Sequence, residues 1–478
     1  MMQPFVISGI GRVGALAVAL GVGAFIATNP AIASADASAG TTGSSEQSIT
    51  HTNPRPKTAH RPVIRFPATA KPVVKPAKVT PAPRSPFAPI AHWVVLAWAR
   101  REFEHALGVH IPAPSRQLAT ATQGTGAPFT VMTQNLYVGG DVGPTMRAST
   151  AQQSYQANTQ LWNSVVATDF PTRSKALANQ IGQTDPVIIG LQEATVWRDQ
   201  QVSDRVTGTT TPNADHVVYD QVTLLQADLA AGGTPYVVAA HHTTSDIEGA
   251  RINPDSPNGY TDIRRTSSDV ILVRADQADR ISNPQSGQYL AKSIAFSPNG
   301  VRMIDRSWAA VDYRVDDTHT VRVFSTHLEP IVTPLSLPAQ TLQAVELLLR
   351  VYASPHSVVV MGDLNSPDNI PLTPAYWILR AGLGDAWWST HPLDFRGSCC
   401  QAPLLDNPKS STLLRLDHVL VRGVTADSAA LTGTEPFRQS PPPLWASDHY
   451  GVASTLHVTG GPPWLWLARL VPFVGPLV

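Results

Sequence analysis

Between residues 126 and 458, short apolar bursts alternate with turn residues. The bursts predict strands over 129–135, 187–192, 236–241, 269–274, 308–313, 321–327, 357–361, 417–421 and 450–458. Longer stretches predict helices over 172–183, 218–231, 338–351 and 373–381. Strand followed by helix, with several strands in succession, predicts an α/β fold of two packed sheets with outer helices.

The flanks follow a different pattern. An apolar run from Val13 to about Ala27 precedes small residues at Ala31, Ala33 and Ala35, which reads as a signal peptide over 1–35. Residues 36–125 read as a Pro/Ala/Lys-rich linker that cannot bury enough apolar surface to fold. Within it, Trp93, Leu96, Trp98, Phe103 and Leu107 mark a candidate amphipathic helix over 90–107. The tail over 459–478 is apolar but carries Arg469 and four prolines, so it is too broken for a membrane-spanning helix. Trp464 and Trp466 could dip into a membrane surface.

Charge sharpens this division. The 35 basic and 35 acidic residues cancel. Yet between Glu46 and Glu102 there are ten basic residues and no acidic one, so the remainder sums to minus ten. Such a linker favours an anionic envelope or lipid head groups. Overall neutrality argues against gripping nucleic acid by bulk charge, but not against binding phosphate through a metal. The 2 cysteines, Cys399 and Cys400, are adjacent, which is neither a disulfide framework nor a zinc spacing. They are two thiols or a strained eight-membered ring. These features predict a secreted or envelope-associated protein; a monomer is expected, though no feature of the sequence fixes the oligomeric state.

Six polar groups sit at the ends of apolar strands: Asn135 in Thr-Gln-Asn-Leu-Tyr, Glu193 after Gly-Leu-Gln, and His327 in Ser-Thr-His-Leu. Then come Asp363 and Asn365 in Gly-Asp-Leu-Asn, Asp417 in Arg-Leu-Asp-His, and Asp448 with His449 in Ser-Asp-His. Sparse oxygen donors and histidines suit phosphate-ester hydrolysis, which needs charge neutralisation, a prepared water and help for the leaving group. Taken singly, each is commonly a turn or a cap. Their joint occurrence carries the reading.

In this order, the blocks resemble the endonuclease/exonuclease/phosphatase superfamily, over about residues 126–458. The resemblance implies a four-layer α-β-β-α sandwich and a Mg²⁺ or Mn²⁺ ion held by Glu193, with Asn135 and Asp448 beside it. Asp141, in the Gly-Gly-Asp loop, is a further candidate ligand. Asp363 would orient and help deprotonate the attacking water, and Asn365 would donate to phosphate or water. His449 would be a second base or a phosphate clamp, its ring held by Asp417. His327 would stabilise phosphoryl charge or protonate the leaving oxygen. The Cys399-Cys400-Gln401 segment and Arg415, taken as a substrate-binding residue, resemble an exported bacterial subgroup. His418 departs from the aromatic residue that many relatives carry there, which leaves the support of Asp417 open.

The resemblance implies a phosphodiester substrate, nucleic acid or a phospholipid head group. An inositol or sugar phosphate phosphatase is the alternative activity. A catalytically inactive envelope-binding protein on the same scaffold is the alternative class, and it would have lost at least one of Glu193, Asp363, Asp448 and His449. All four are present.

Overall fold

The structure is a computed structural model, and it describes residues 126–297, 300–331, 336–368 and 373–459. The expected signal peptide, the linker with its amphipathic helix, and the tail beyond Thr459 lie outside the described residues.

Two mixed sheets form the body. The strands are β1 (Phe129–Asn135), β2 (Ile188–Gln200), β3 (His216–Asp220), β4 (Tyr236–Ile252), β5 (Tyr260–Arg274), β6 (Ile281–Gln288), β7 (Ser293–Ser297), β8 (Gly300–Ile304), β9 (Ser307–Arg314), β10 (Thr320–His327), β11 (Ser357–Asp363), β12 (Gly384–Asp385), β13 (Asp417–Arg422), β14 (Val424–Thr432) and β15 (Gly451–Val458). One sheet runs β14-β15-β1-β2-β5-β4, with β3 against β2. The other runs β12-β13-β11-β10-β9-β6, and β7 and β8 form a separate hairpin. The helices are α1 (Gly143–Arg147), α2 (Ala151–Ala167), α3 (Phe170–Thr184), α4 (Gln221–Ala231), α5 (Ser336–Ala353), α6 (Pro374–Arg380) and α7 (Ala386–Thr390). None of the described helices is long and apolar enough to cross a membrane.

The strand alternation explains the layers, because successive side chains face opposite sides. Val131, Ile188 and Ile271 face Val311, Val323 and Val359 between the sheets. Their chain neighbours Met132, Ile189 and Leu272 face outward onto Leu177 and Ile181 of α3 and Leu225 of α4. On the second sheet, Phe324, Val358 and Val360 face outward onto Leu347 and Val351 of α5 and Leu379 of α6. The result is the four-layer α-β-β-α sandwich.

At one end the space between the sheets turns polar. Gly190 of β2 approaches Ser325 of β10 so closely that a Cβ would lie 2.7 Å from Ser325 Oγ. Beside it, Gln192 Nε2 donates to Ser325 Oγ at 3.2 Å, and Thr133 Oγ1 donates to Gln192 Oε1 at 3.0 Å.

The structure lengthens and adds elements. β2, β4 and β5 run far beyond the expected strands, as mainly polar extensions. The expected helix 218–231 is instead β3 followed by α4, with the Asp220 carboxylate accepting from Thr223 N at the junction. α2 was not expected because its sequence is mostly polar, yet it buries Leu161, Trp162 and Val165.

Candidate active site

Strand register assembles the polar residues. On β10, β11 and β13, His327 lies beside Asp363, and Asp363 beside Asp417. Asn135 ends β1 on the facing sheet, and its Nδ2 donates to Asp363 Oδ2 at 3.2 Å. His449 precedes β15, and its Nε2 is 3.8 Å from the same oxygen, while His327 Nε2 is 3.5 Å away. Three polar side chains from separate strand ends thus converge on Asp363 Oδ2. Asp363 Oδ1 accepts from Asn365 N at 2.8 Å.

Local backbone demands explain several motif residues. Gly362 has no substitute, since any Cβ there would overlap the Thr326 carbonyl oxygen. Asn365 adopts φ +47°, a conformation asparagine tolerates better than most residues. Glu193 sits in a bulge of β2 at φ +57°, out of step with the strand alternation. Its Oε2 accepts from Val138 N at 3.0 Å, which fixes the carboxylate against the loop after β1.

His449 is held as expected. Its Nδ1 lies 2.8 Å from Asp417 Oδ2, which also accepts from Ser398 Oγ at 2.6 Å. The support of Asp417 therefore comes from Ser398, outside the strand-end motifs. His418 faces the opposite side, with its ring on Tyr376 at 4.7 Å. Cys399 and Cys400 are joined, closing the ring, and Cys399 bridges to His449 on one side and Leu414 on the other.

Three further expected residues have partners within the protein. Asp141 is exposed, and its Oδ1 accepts from Gly143 N at 2.7 Å within its own loop. Asn365 Nδ2 donates to Leu328 O at 2.9 Å, so this amide braces the strand ends. Arg415 is buried, paired with Asp368 and packed against Trp387 and Trp388. Its Nη1 also donates to Asp394 O at 3.1 Å, so the guanidinium anchors the loop before β13.

Other participants carry no sequence signature. Buried Arg173 donates to the carbonyl oxygens of Leu136 at 2.9 Å and Ala446 at 2.8 Å, tying the loops after Asn135 and before Asp448. Ser447 Oγ donates to Asn135 O at 2.7 Å and joins the same two loops. Arg306 lies against His327, and Asp269 is buried in the inter-sheet space, accepting from Ser307 Oγ at 2.5 Å. Only the spacing of a strand end would have pointed to Asp269, and nothing to Arg306.

The electrostatics show surplus negative charge. Burial pushes the Asp363 carboxyl up to about 7, with His449 pulling it down and Asp417 pushing it further up. Burial raises Asp448 to about 6, opposed by His449 and reinforced by Glu193. Burial disfavours charged His449, but Asp417, Asp448 and Asp363 outweigh it and hold its pKa well above the usual range. His327 is driven well below, by burial, Arg306 and His449, so its ring is neutral. Mutually repelling carboxylates with an all-oxygen donor set at Glu193, Asn135 and Asp448 fit a hard divalent cation. Asp363, Asp417 and His449 form a close group, with ligand atoms within 4.8 Å. Asp417 and His449 already satisfy each other there, so Glu193, Asn135 and Asp448 fit the ion better.

A stability consequence follows. An unfolded aspartate titrates near about 3.9, so the raised Asp363 value stabilises the fold fully below that pH. The contribution is lost as pH rises through about 7. In metal-free protein at pH 8, Asp363→Asn is expected to gain about 1–3 kcal/mol, a gain that vanishes by pH 4. Thermal melts in EDTA at both pH values check this, and a lower melting temperature for the variant at pH 8 would contradict it.

The model of the Endonuclease/Exonuclease/phosphatase family matches residues 132–449. No curated protein sequence matches the chain. Among solved structures, an endonuclease/exonuclease/phosphatase family protein of Bacteroides thetaiotaomicron is 16% identical, with TM-score 0.43, covering 70% of this chain and 99% of its own. One from Beutenbergia cavernae is 19% identical, with TM-score 0.42, covering 70% and 72%. A humanized D. rerio TDP2 is 16% identical, with TM-score 0.41, covering 69% and 99%. With the family match spanning well over half of its length, from the strand of Asn135 to His449, the chain belongs to the endonuclease/exonuclease/phosphatase family of metal-dependent phosphoric ester hydrolases.

Proposed function

We propose that the protein hydrolyses phosphodiesters with Mg²⁺ or Mn²⁺ held by Glu193, Asn135 and Asp448. The observation that carries this reading is the convergence of Asn135, His327 and His449 on one oxygen of Asp363. Asp363, with its carboxyl pushed up to about 7, is suited to take a proton from water near neutral pH. The water oxygen then bonds to phosphorus as the bond to the leaving oxygen breaks. His449, charged and fixed by Asp417, donates to the phosphoryl group. His327, neutral, offers one ring N–H to the phosphoryl or leaving oxygen. When bound, the metal neutralises phosphoryl charge and lowers the pKa of water.

One observation favours a phospholipid head group over nucleic acid. Leu393, Phe395 and Leu413 are 85%, 61% and 76% exposed. Gly397 packs on the backbone of Leu413, and Cys399 pairs through its backbone with His449, which supports placing these side chains on the segments that flank the site. Exposed leucine and phenylalanine beside a phosphate site suit an acyl-chain interface. A panel of sphingomyelin and phosphatidylcholine vesicles, DNA, RNA and inositol phosphates with Mg²⁺ tests both levels. Preferred cleavage of vesicle phospholipid is expected. Preferred cleavage of DNA or RNA would overturn the lipid reading, and release of phosphate from monoesters alone would overturn the diesterase reading.

Export to the cell envelope completes the proposal. It is supported by the apolar run from Val13, the small residues at Ala33 and Ala35, and the basic linker. Cell fractionation decides it, and full-length protein confined to the cytoplasm would refute it.

A further inference from the structure

We propose that Arg306 is a further catalytic residue, a guanidinium that binds the phosphoryl oxygens of the substrate, with Glu329 as the residue that positions it. The proposal rests on the phosphoester-hydrolase reading above.

Arg306 directly precedes β9. Its Nε donates to Glu329 Oε2 at 2.9 Å. Glu329 is buried, and every part of it is tied down. Its Oε1 accepts from Ser293 Oγ at 2.5 Å, its N–H donates to Gln343 Oε1 at 2.9 Å, and its carbonyl accepts from Gln340 Nε2 at 2.7 Å. A buried carboxylate is costly to desolvate. Here it holds one edge of a single guanidinium.

A second side is fixed by His327. Arg306 Nη1 is 3.3 Å from Nε2 and 3.4 Å from Nδ1 of that ring. The near-equal distances place Nη1 midway between the two ring nitrogens. Nη2 makes no hydrogen bond with any described residue, and the side chain keeps 17% exposure. The His327 ring reaches within 3.5 Å of Asp363 Oδ2. Glu193 is close enough for its charge to favour the ionised guanidinium. Arg306 thus stands between the buried Glu329 and His327, on the side of the site that Glu193 also faces, within the group of residues assigned to the phosphoryl group.

Arginine suits this place because its planar fork matches phosphate oxygens and its charge is permanent. No bond of Arg306 changes during hydrolysis. Its Nη2–H donates to a non-bridging oxygen and strengthens that hydrogen bond as negative charge accumulates there. A purely structural role, pairing with Glu329, would need only a cation.

The test uses the Mg²⁺-loaded full chain with two readouts, turnover of bis(p-nitrophenyl) phosphate and affinity for inorganic phosphate by calorimetry. Arg306→Lys keeps the charge opposite Glu329. The double variant Arg306→Ala/Glu329→Gln removes both charges and guards against misfolding. Arg306→Lys is expected to lose about a hundredfold in kcat/KM and about tenfold in phosphate affinity. Millimolar methylguanidinium is expected to restore at least tenfold of the activity of the double variant, with no effect on wild type. A folded Arg306→Lys protein with both readouts within threefold of wild type would overturn the assignment. So would a double variant that retains wild-type phosphate affinity and is not rescued. If wild type binds phosphate through Arg306 yet cleaves no diester, the activity reading fails while the binding assignment stands.

Discussion

Glu193→Ala is expected to lower kcat/KM for a phosphodiester by about a thousandfold, or about 4 kcal/mol of transition-state stabilisation. The carboxylate stands in a bulge of β2, out of step with its strand, and is braced by Val138 N. That placement brings the carboxylate close enough to Asp448 to raise its pKa. A left-handed backbone at a non-glycine residue costs about 1–2 kcal/mol, which is retained here at the candidate metal ligand. Glu193→Gln keeps the shape and the bond from Val138 and should lose nearly as much. Both variants should bind Mg²⁺ at least tenfold more weakly while melting no lower than wild type in EDTA. Wild-type Mg²⁺ affinity in either variant would remove Glu193 from the metal site.

His449→Ala should lower turnover by a hundredfold or more, and it should also destabilise the fold. It leaves the fully buried Asp417 carboxylate with Ser398 Oγ as its remaining side-chain partner. Breaking a buried pair from one side costs about 3–5 kcal/mol, because the other charge is stranded. The raised pKa of His449 sets the pH window. Its stabilisation is complete below the unfolded histidine value of about 6.5 and is lost as pH rises through the raised folded value. The stability gap between wild type and variant should therefore be widest at and below neutral pH and close in alkali. The double variant His449→Ala/Asp417→Asn should recover stability without recovering turnover. If turnover returned with stability, His449 would be structural only.

Much of this site could be read from the chain because it is built at strand ends. An apolar strand such as β11 announces itself, and a polar residue ending it, as Asp363 does, stands out against the apolar run. Parallel and antiparallel register then sets His327, Asp363 and Asp417 side by side, so sequence order alone nearly delivers this row. What supports that row comes from segments without such contrast. Arg306 and Glu329 lie in short connections at strand ends, and Ser398 reaches Asp417 from a loop 19 residues before it. Arg415 shows the converse, a residue placed by its motif whose guanidinium folding buries under two tryptophans. Helix α2 and the extensions of β4 and β5 carry little sequence signal, because polar residues dominate them and their apolar period is weak. The four layers were legible because the core strands alternate or run apolar without a break.

The most direct measurement of the central claim is initial-rate hydrolysis of bis(p-nitrophenyl) phosphate by the purified chain after metal removal, titrated with Mg²⁺ and then Mn²⁺. The account predicts no turnover in EDTA and saturable recovery with either ion. It also predicts no recovery at any metal concentration for Asp363→Asn, whose fold is intact. Equal turnover with and without metal, or full activity in Asp363→Asn, would contradict it.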